Sequence, residues 1–285
     1  MLSTSLRPIS RIVSTKACLR AFTVSTGKNV LVEKHDNGVA TLSLNRHEGK
    51  NSLSKAMIEE FNHAVAQLHN DQQVKVVVVK SNVEKVFCAG ADLKERLTMS
   101  SDEVGPFVEK LRMAFDGVAQ LPMPTIAAID GVALGGGLEL ALACDIRVAH
   151  EQALLGLPET ALAIIPGAGG TQRLPRVVGV AKAKELIFTG ARLSAKQSEQ
   201  IGLVSEVVEG RPASARALEI AATIAEKGPV ALRMAKKAID EGISLDLSEA
   251  LTVEGQCYGG VVYTEDRIEG LKSFTEKRKP IYKGK

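Results

Sequence analysis

Residues 127–149 read AAIDGVALGGGLELALACDIRVA, and the fold is decided in this stretch. Residues 126–129 form a short apolar run rich in β-branched side chains. Gly135-Gly136-Gly137 then opens an apolar helix over 138–143, and 146–149 reads as a second strand. Strand, turn, helix and strand is the succession of a crossover connection, which parallel strands require. The same unit precedes it. Met57, Phe61, Val65 and Leu68 stand at helical spacing within 54–69, and Val74 with 76–79 makes a continuous β-branched run. A second apolar helix follows through Val104, Phe107, Val108, Leu111, Phe115 and Val118, and Pro122 with Pro124 ends it. Helix followed by buried strand predicts an α/β fold.

Toward the N-terminus, 29–34 and 39–44 alternate apolar and polar residues around Asn37-Gly38, a dipeptide suited to a tight hairpin. Toward the C-terminus, Ser194-Ala195-Lys196-Gln197 is a capping box before a short helix, and 202–208 reads as the last core strand. From 212 the pattern is helical, at 212–226, 229–240, 247–258 and 264–277. The expected organisation is a core over 27–211 and a C-terminal helical region over 212–285. No long linker or solenoid repeat separates them, so the two parts should pack together.

The composition is that of a globular chain: 285 residues, 45% hydrophobic and 24% charged, with 36 basic against 33 acidic groups. Four of the bases, Arg7, Arg11, Lys16 and Arg20, lie in residues 1–26, which carry nine Ser or Thr and no acidic residue. That segment reads as a mitochondrial presequence and predicts a matrix location. The remaining residues hold 32 basic and 33 acidic groups, so no whole-chain basic field attracts nucleic acid. No transmembrane helix is expected, because the most apolar stretch is broken by Asp130, Glu139, Asp145 and Arg147. Cysteines at 18, 88, 144 and 257 form no CxxC pair, and histidines at 35, 47, 63, 69 and 150 form no HExxH; neither a disulfide framework nor a metal site is expected.

Three glycine clusters invite a phosphate-loop reading, but Lys50 is followed by Asn51, and no GxGxxG follows the first strand. No GxSxG elbow is present. Cys88 reads as a buried structural thiol, since no histidine is placed to activate it. Two segments remain informative, FCAGADLK at 87–94 and DGVALGGGLELALACD at 130–145. Each follows a strand and turns on small residues, so two helix or loop N-termini could aim two N–H groups at one oxygen, although such glycines also serve close packing. Glu139 sits among Leu138, Leu140, Ala141 and Leu142, a costly place for a charge without partners or use. Glu159, in Gly156-Leu157-Pro158-Glu159, reads from the residues alone as a solvated loop carboxylate.

Residues 28–285 resemble the enoyl-CoA hydratase (crotonase) family, through FCAGADLKE at 87–95, the 127–149 stretch, GLPE at 156–159 and IPGAGGTQRLPR at 165–176. Within the family the chain is most similar to the mitochondrial methylglutaconyl-CoA hydratases, some of which bind AU-rich RNA. That similarity rests on GKNSLSK at 49–55, LKER and MSS within 93–101, EVGPFV at 103–108 and EKR at 276–278. The resemblance implies a core of repeated ββα turns, a C-terminal part that supports homotrimers or dimers of trimers, and no cofactor beyond the coenzyme A of the substrate. It assigns the oxyanion hole to the N–H groups of Ala91 and Gly136, and catalysis to Glu139 and Glu159. Ala91, Asp92, Leu93, Lys94, Gly136 and the loop from Arg46 to Lys50 would flank coenzyme A.

The implied reaction is water addition to C2=C3 of a short or branched 2-enoyl-CoA, with 3-methylglutaconyl-CoA of leucine degradation favoured. The alternatives are general short-chain hydration in β-oxidation, or an RNA-binding protein with secondary hydratase activity. Arg96 is the candidate cation for a distal carboxylate. RNA-binding members show lysines at four-residue intervals on the first long helix, where this chain has Lys55, Glu59 and His63. Weak or no RNA binding by that face is expected.

Overall fold

The computed structural model describes residues 21–25 and 27–285, with side chains from Gly27 onward. The expected presequence lies outside the described residues apart from 21–25, which form β1 (Ala21–Ser25). β1 pairs antiparallel with β2 (Val30–His35), which pairs antiparallel with β3 (Val39–Leu44). Gly38 has φ +85°, as the expected tight turn requires. Then come α1 (Lys55–His69), β4 (Val76–Ser81), β5 (Val86–Cys88), α2 (Leu93–Thr98) and α3 (Ser101–Ala119). They are followed by β6 (Thr125–Ile129), β7 (Val132–Leu134), α4 (Gly136–Ala143), β8 (Ile146–His150) and β9 (Leu154–Gly156). A 3-10 turn (Glu159–Leu162), α5 (Gly170–Val178), α6 (Val180–Thr189), β10 (Arg192–Ser194), α7 (Ala195–Gln200) and β11 (Glu206–Val208) complete the core. Four helices end the chain: α8 (Ala213–Ala225), α9 (Pro229–Gly242), α10 (Leu247–Val262) and α11 (Glu265–Thr275).

The strands form two sheets, one ordered β1-β2-β3-β4-β6-β8-β11 and one ordered β10-β9-β7-β5. From β4 onward each turn of the chain sends a first strand to the large sheet, a second to the small sheet, and then a helix. β4-β5, β6-β7 and β8-β9 are three such turns, stacked in parallel within each sheet. This is the repeated ββα architecture that the resemblance implies. Both faces of the large sheet are covered, which explains the unbroken valine run in β4. Val77, Val79, Ala127 and Ile129 face the main core with α1, α3 and α4. Val76, Val78, Ile126, Ala128 and Val148 face the other way, onto Ala213, Ala217, Ala221 and Ala225 of α8.

Alanine at every fourth position gives α8 a smooth stripe that lies close against the sheet. The first helix of the expected C-terminal region is thus a layer of the core, and α9 to α11 extend beyond it. Lys236 Nζ of α9 ties that extension back through Asp145 Oδ2 at 2.9 Å. Asp266 accepts the N–H groups of Lys283 and Gly284 and so fastens the last residues to α11.

Candidate active site

β5, β7 and α4 meet where the chain has least side chain. A Cβ on Gly137 would stand 2.2 Å from Cys88 O, and one on Gly90 (φ +93°) 2.9 Å from Leu134 O, so these glycines let the backbones abut. The position a Gly136 Cβ would take is 3.9 Å from Ala91 N. Gly136 is the first residue of α4, and the opening N–H groups of a helix have no partner within it. Ala91 sits in an isolated bridge with Leu53 that uses Gly90 O and Asp92 N, leaving the Ala91 N–H outside the ladder. The two expected oxyanion donors are therefore neighbours, on a helix start and a strand end.

Glu139 lies one turn into α4, 2% exposed. Its Oε1 accepts the N–H groups of Ala168 and Gly170, both at 2.8 Å. A Cβ on Gly170 would come within 3.0 Å of that oxygen and crowd the Pro166 and Leu157 side chains as well, so glycine lets this backbone close on the carboxylate without displacing them. Burial pushes the Glu139 carboxyl above its ordinary range, against the opposing pull of the two N–H donors, Arg173 and Arg112. The Gly-Ala-Gly-Gly turn at 167–170 is thus a carboxylate cradle. Sequence reasoning missed Ala168 and Gly170 in that role, and their signal was a glycine-rich turn with no phosphate motif around it.

Glu159 corrects the reading made from the residues alone. It is half-buried in the 3-10 turn rather than solvated in a loop. Its Oε1 comes within 3.2 Å of where a Gly135 Cβ would stand. Its Oε2 is buried with no hydrogen-bond partner among the described residues. Burial, reinforced by the Glu139 charge, pushes its carboxyl up to about 7. Two carboxylates, both pushed above their ordinary range and the Glu139 charge felt by Glu159, thus lie in this region, one cradled by N–H groups and one left bare.

The flanking residues are tied together. Asp92 caps α2 by accepting the N–H groups of Lys94 and Glu95, and it pairs with Arg46 Nη1 at 2.8 Å. Burial tends to raise its carboxyl, but Arg46 and the cap hold it below its ordinary value. Arg46 also donates to Ser52 O and Oγ, so its guanidinium braces the loop that the resemblance sets beside coenzyme A. Asn51, fully buried with φ +55°, binds Phe87 O and Ser81 Oγ and locks that loop to β5. Leu93 and Lys94 are exposed. Burial pushes the Cys88 thiol up to about 12, as a structural thiol requires.

Arg96 holds its guanidinium 5.2 Å above the Phe107 ring, with no ion pair among the described residues. Lys55 pairs with Glu103 Oε1 at 3.1 Å, while Glu59 and His63 are exposed on the same helix. Among the described residues no group of three or more His, Cys, Asp or Glu could hold a metal ion, and no helix is long and apolar enough to cross a membrane.

Several known proteins are similar to this chain over most of its length. Human mitochondrial methylglutaconyl-CoA hydratase is 53% identical over 257 residues, 89% of this chain and 76% of that protein. The probable mitochondrial enoyl-CoA hydratase 2 of Arabidopsis thaliana is 52% identical, over 87% of this chain and 83% of that protein. A crystal structure of an enoyl-CoA hydratase from Bacillus anthracis superposes with a TM-score of 0.88 at 52% identity, covering 90% of this chain and all of that one. Residues 34–285 match the family model for enoyl-CoA hydratase/isomerase, and a likeness of this extent to whole relatives means that the chain belongs to the enoyl-CoA hydratase/isomerase family.

Proposed function

We propose that the protein is a hydratase that adds water across C2=C3 of a short or branched 2-enoyl-CoA, and that its preferred substrate is 3-methylglutaconyl-CoA. The observation that carries the reaction is a pair of carboxylates in different surroundings, one held by two N–H donors and one bare, together with two adjacent backbone N–H groups. The thioester oxygen accepts from Ala91 and Gly136. As a water oxygen bonds to C3, the π electrons move toward that oxygen, where the N–H groups and the helix N-terminus stabilise the enolate-like charge. Glu139, whose cradle favours the carboxylate, takes the proton of the water. Glu159, which keeps a proton to about pH 7, delivers it to C2 as the carbonyl re-forms. The proton on Glu139 then returns to Glu159 before the next turnover. Coenzyme A enters and leaves with the substrate, and none of these steps calls on another cofactor.

Support for a carboxylated substrate comes from Arg96, a cation stacked on Phe107 and free of ion pairs among the described residues. Comparison of kcat/KM on crotonyl-CoA and 3-methylglutaconyl-CoA tests this, with a preference for the latter that Arg96→Met lowers. A preference for crotonyl-CoA, unaltered in the variant, assigns general short-chain hydration instead. The names of the relatives and the acid-free first 26 residues support a mitochondrial matrix protein, and a reporter fused to residues 1–30 that stays in the cytosol overturns that. Exposed Ile239, Ile243, Leu247, Leu251 and Phe274 on the last helices support a homotrimer or dimer of trimers. Light scattering that gives the mass of a single chain would contradict it.

A further inference from the structure

The cradle that holds Glu139 is itself held from behind. Ala168 N–H, which donates to Glu139, belongs to the peptide group whose other end is Gly167 O, and Arg112 Nε of α3 donates to that oxygen at 3.1 Å. Gly170 N–H, the second donor, shares its peptide with Gly169 O, which accepts the N–H groups of Gln172 and Arg173 at the start of α5. Between these two peptides, Ala168 O accepts from Arg173 Nη1 at 3.2 Å. Arg173 in turn is hooked to Asp116 Oδ1 of α3 at 2.6 Å, one turn beyond Arg112. Every carbonyl from 167 to 169 is thus occupied by a donor on the side away from the carboxylate.

We infer that Arg112 and Arg173 are positioning residues for the hydration, fixing the Gly167–Gly170 turn so that two peptide N–H groups keep Glu139 oriented and ionised. Neither arginine needs to touch the substrate. Each pulls on a carbonyl, polarises the peptide chain and prevents the turn from flipping its N–H groups off Glu139. The charged and titratable groups around Glu139 are few. α3 brings Arg112, Asp116 and Glu109, the last paired with Arg112 at 2.6 Å. α5 brings Arg173, the 3-10 turn Glu159, and β5 only the neutral Cys88. Both arginines act to lower the Glu139 proton affinity that burial raises. Removing either should therefore raise it further.

This rests on Glu139 acting as the base, so the test reads the carboxyl separately from turnover. Infrared difference spectra across a pH titration of the whole protein report Glu139 by the band lost in Glu139→Gln. In Arg112→Met and in Arg173→Met that titration should move up by about half a pH unit or more. The acid limb of kcat should move with it, kcat at neutral pH should fall roughly tenfold, and KM should stay within about twofold. Arg112→Lys, which can still reach Gly167 O with Nζ, should recover part of both shifts. Should the methionine variants fail to fold, Arg112→Gln and Arg173→Gln, which keep a polar side chain of similar length but lose the positive charge, must move the titration in the same direction. A folded variant whose Glu139 titrates as in the wild type overturns the inference. Wild-type kcat in Glu139→Gln would instead remove the catalytic role of Glu139, while the spectra still decide whether the arginines govern its ionisation.

Discussion

Replacing Glu159 with Gln should make the protein more stable at alkaline pH, and the structure sets the size of the gain. The carboxyl has an ordinary value of 4.5 and is pushed to about 7 in the folded chain, first by burial and then by Glu139. A raised folded value means that the folded state holds this proton more tightly than the unfolded one. Below pH 4.5 both states are protonated and nothing is lost. As pH climbs from 4.5 toward 7, the unfolded chain releases its proton while the folded chain does not, and stability falls; above 7 the full penalty is present. The gap between 4.5 and about 7 is worth at most about 3 kcal/mol. The side chain is only half-buried, and solvent screening leaves roughly 1–2 kcal/mol.

Urea unfolding of wild type and Glu159→Gln at pH 4.5 and pH 8 measures this directly, at one fixed protein concentration so that any assembly contributes equally. Any constant effect of the amide, including a different fit beside the bare Oε2 position, cancels between the two pH values. The expected result is that the variant gains roughly 1–2 kcal/mol on the wild type between pH 4.5 and pH 8. A difference equal at both pH values, within about 0.3 kcal/mol, would show that Glu159 titrates normally and could not serve as a neutral-pH proton donor. The same variant should lose activity, so the reasoning predicts stability and turnover moving in opposite directions.

Glu139→Gln should lower kcat about 100-fold or more with KM within several-fold, since proton transfer is lost and thioester contacts are kept; steady-state kinetics with a near wild-type kcat would end its role as base. Gly136→Pro deletes one N–H donor at the first helical position, where proline is tolerated, although its Cβ would stand 2.7 Å from the Leu53 side chain, which must shift to admit it. Its kcat should drop about 100- to 1000-fold in a folded protein, and full activity would dismiss the oxyanion assignment. Gly137→Ala, by contrast, drives a methyl to 2.2 Å from Cys88 O, so calorimetry should show a clear fall in Tm; an unchanged Tm would mean that β5 and α4 are not packed as described. Glu59→Lys with His63→Lys should strengthen AU-rich RNA binding, because it would line up three cations with Lys55, whose own charge is now shared with Glu103. Submicromolar binding of the unmodified protein in a salt titration would refute the view that this face is too poor in cations.

The long elements were legible because each repeats one period for long enough. α1 and α3 show helical spacing over four turns or more, and the β-branched run of β4 had no other reading. The small sheet was not legible. β5, β7, β9 and β10 have three residues each, too few for any alternation to register. Their sequences, Val-Phe-Cys, Val-Ala-Leu, Leu-Leu-Gly and Arg-Leu-Ser, read equally well as turns beside glycine. α5 and α6 escaped for a different reason: glycines at 169, 170 and 179 and Pro175 look like loop signals. Here Gly169 and Gly179 instead serve as N-terminal caps with positive φ.

The two glutamates show where residue-level reasoning stops. Glu139 betrays itself locally, because a charge flanked by leucines on a short apolar helix cannot be solvated, and some partner or use must exist. Nothing in the chain near Glu159 signals burial, since Pro158 and Thr160 are unremarkable neighbours for a surface loop. What buries Glu159 is distant in sequence: the approach of Gly135, and of α6, whose Ile187 O accepts the Thr160 hydroxyl proton at 2.7 Å. The partners of Glu139 are equally distant, twenty-nine and thirty-one residues on. They are peptide N–H groups, which every residue but proline carries and which no sequence pattern singles out. A site built from backbone donors therefore appears in sequence only as the glycines that let the backbone come close. That is why the turn at 167–170 could be seen as unusual, yet its purpose emerged only once the carboxylate it holds had been brought beside it.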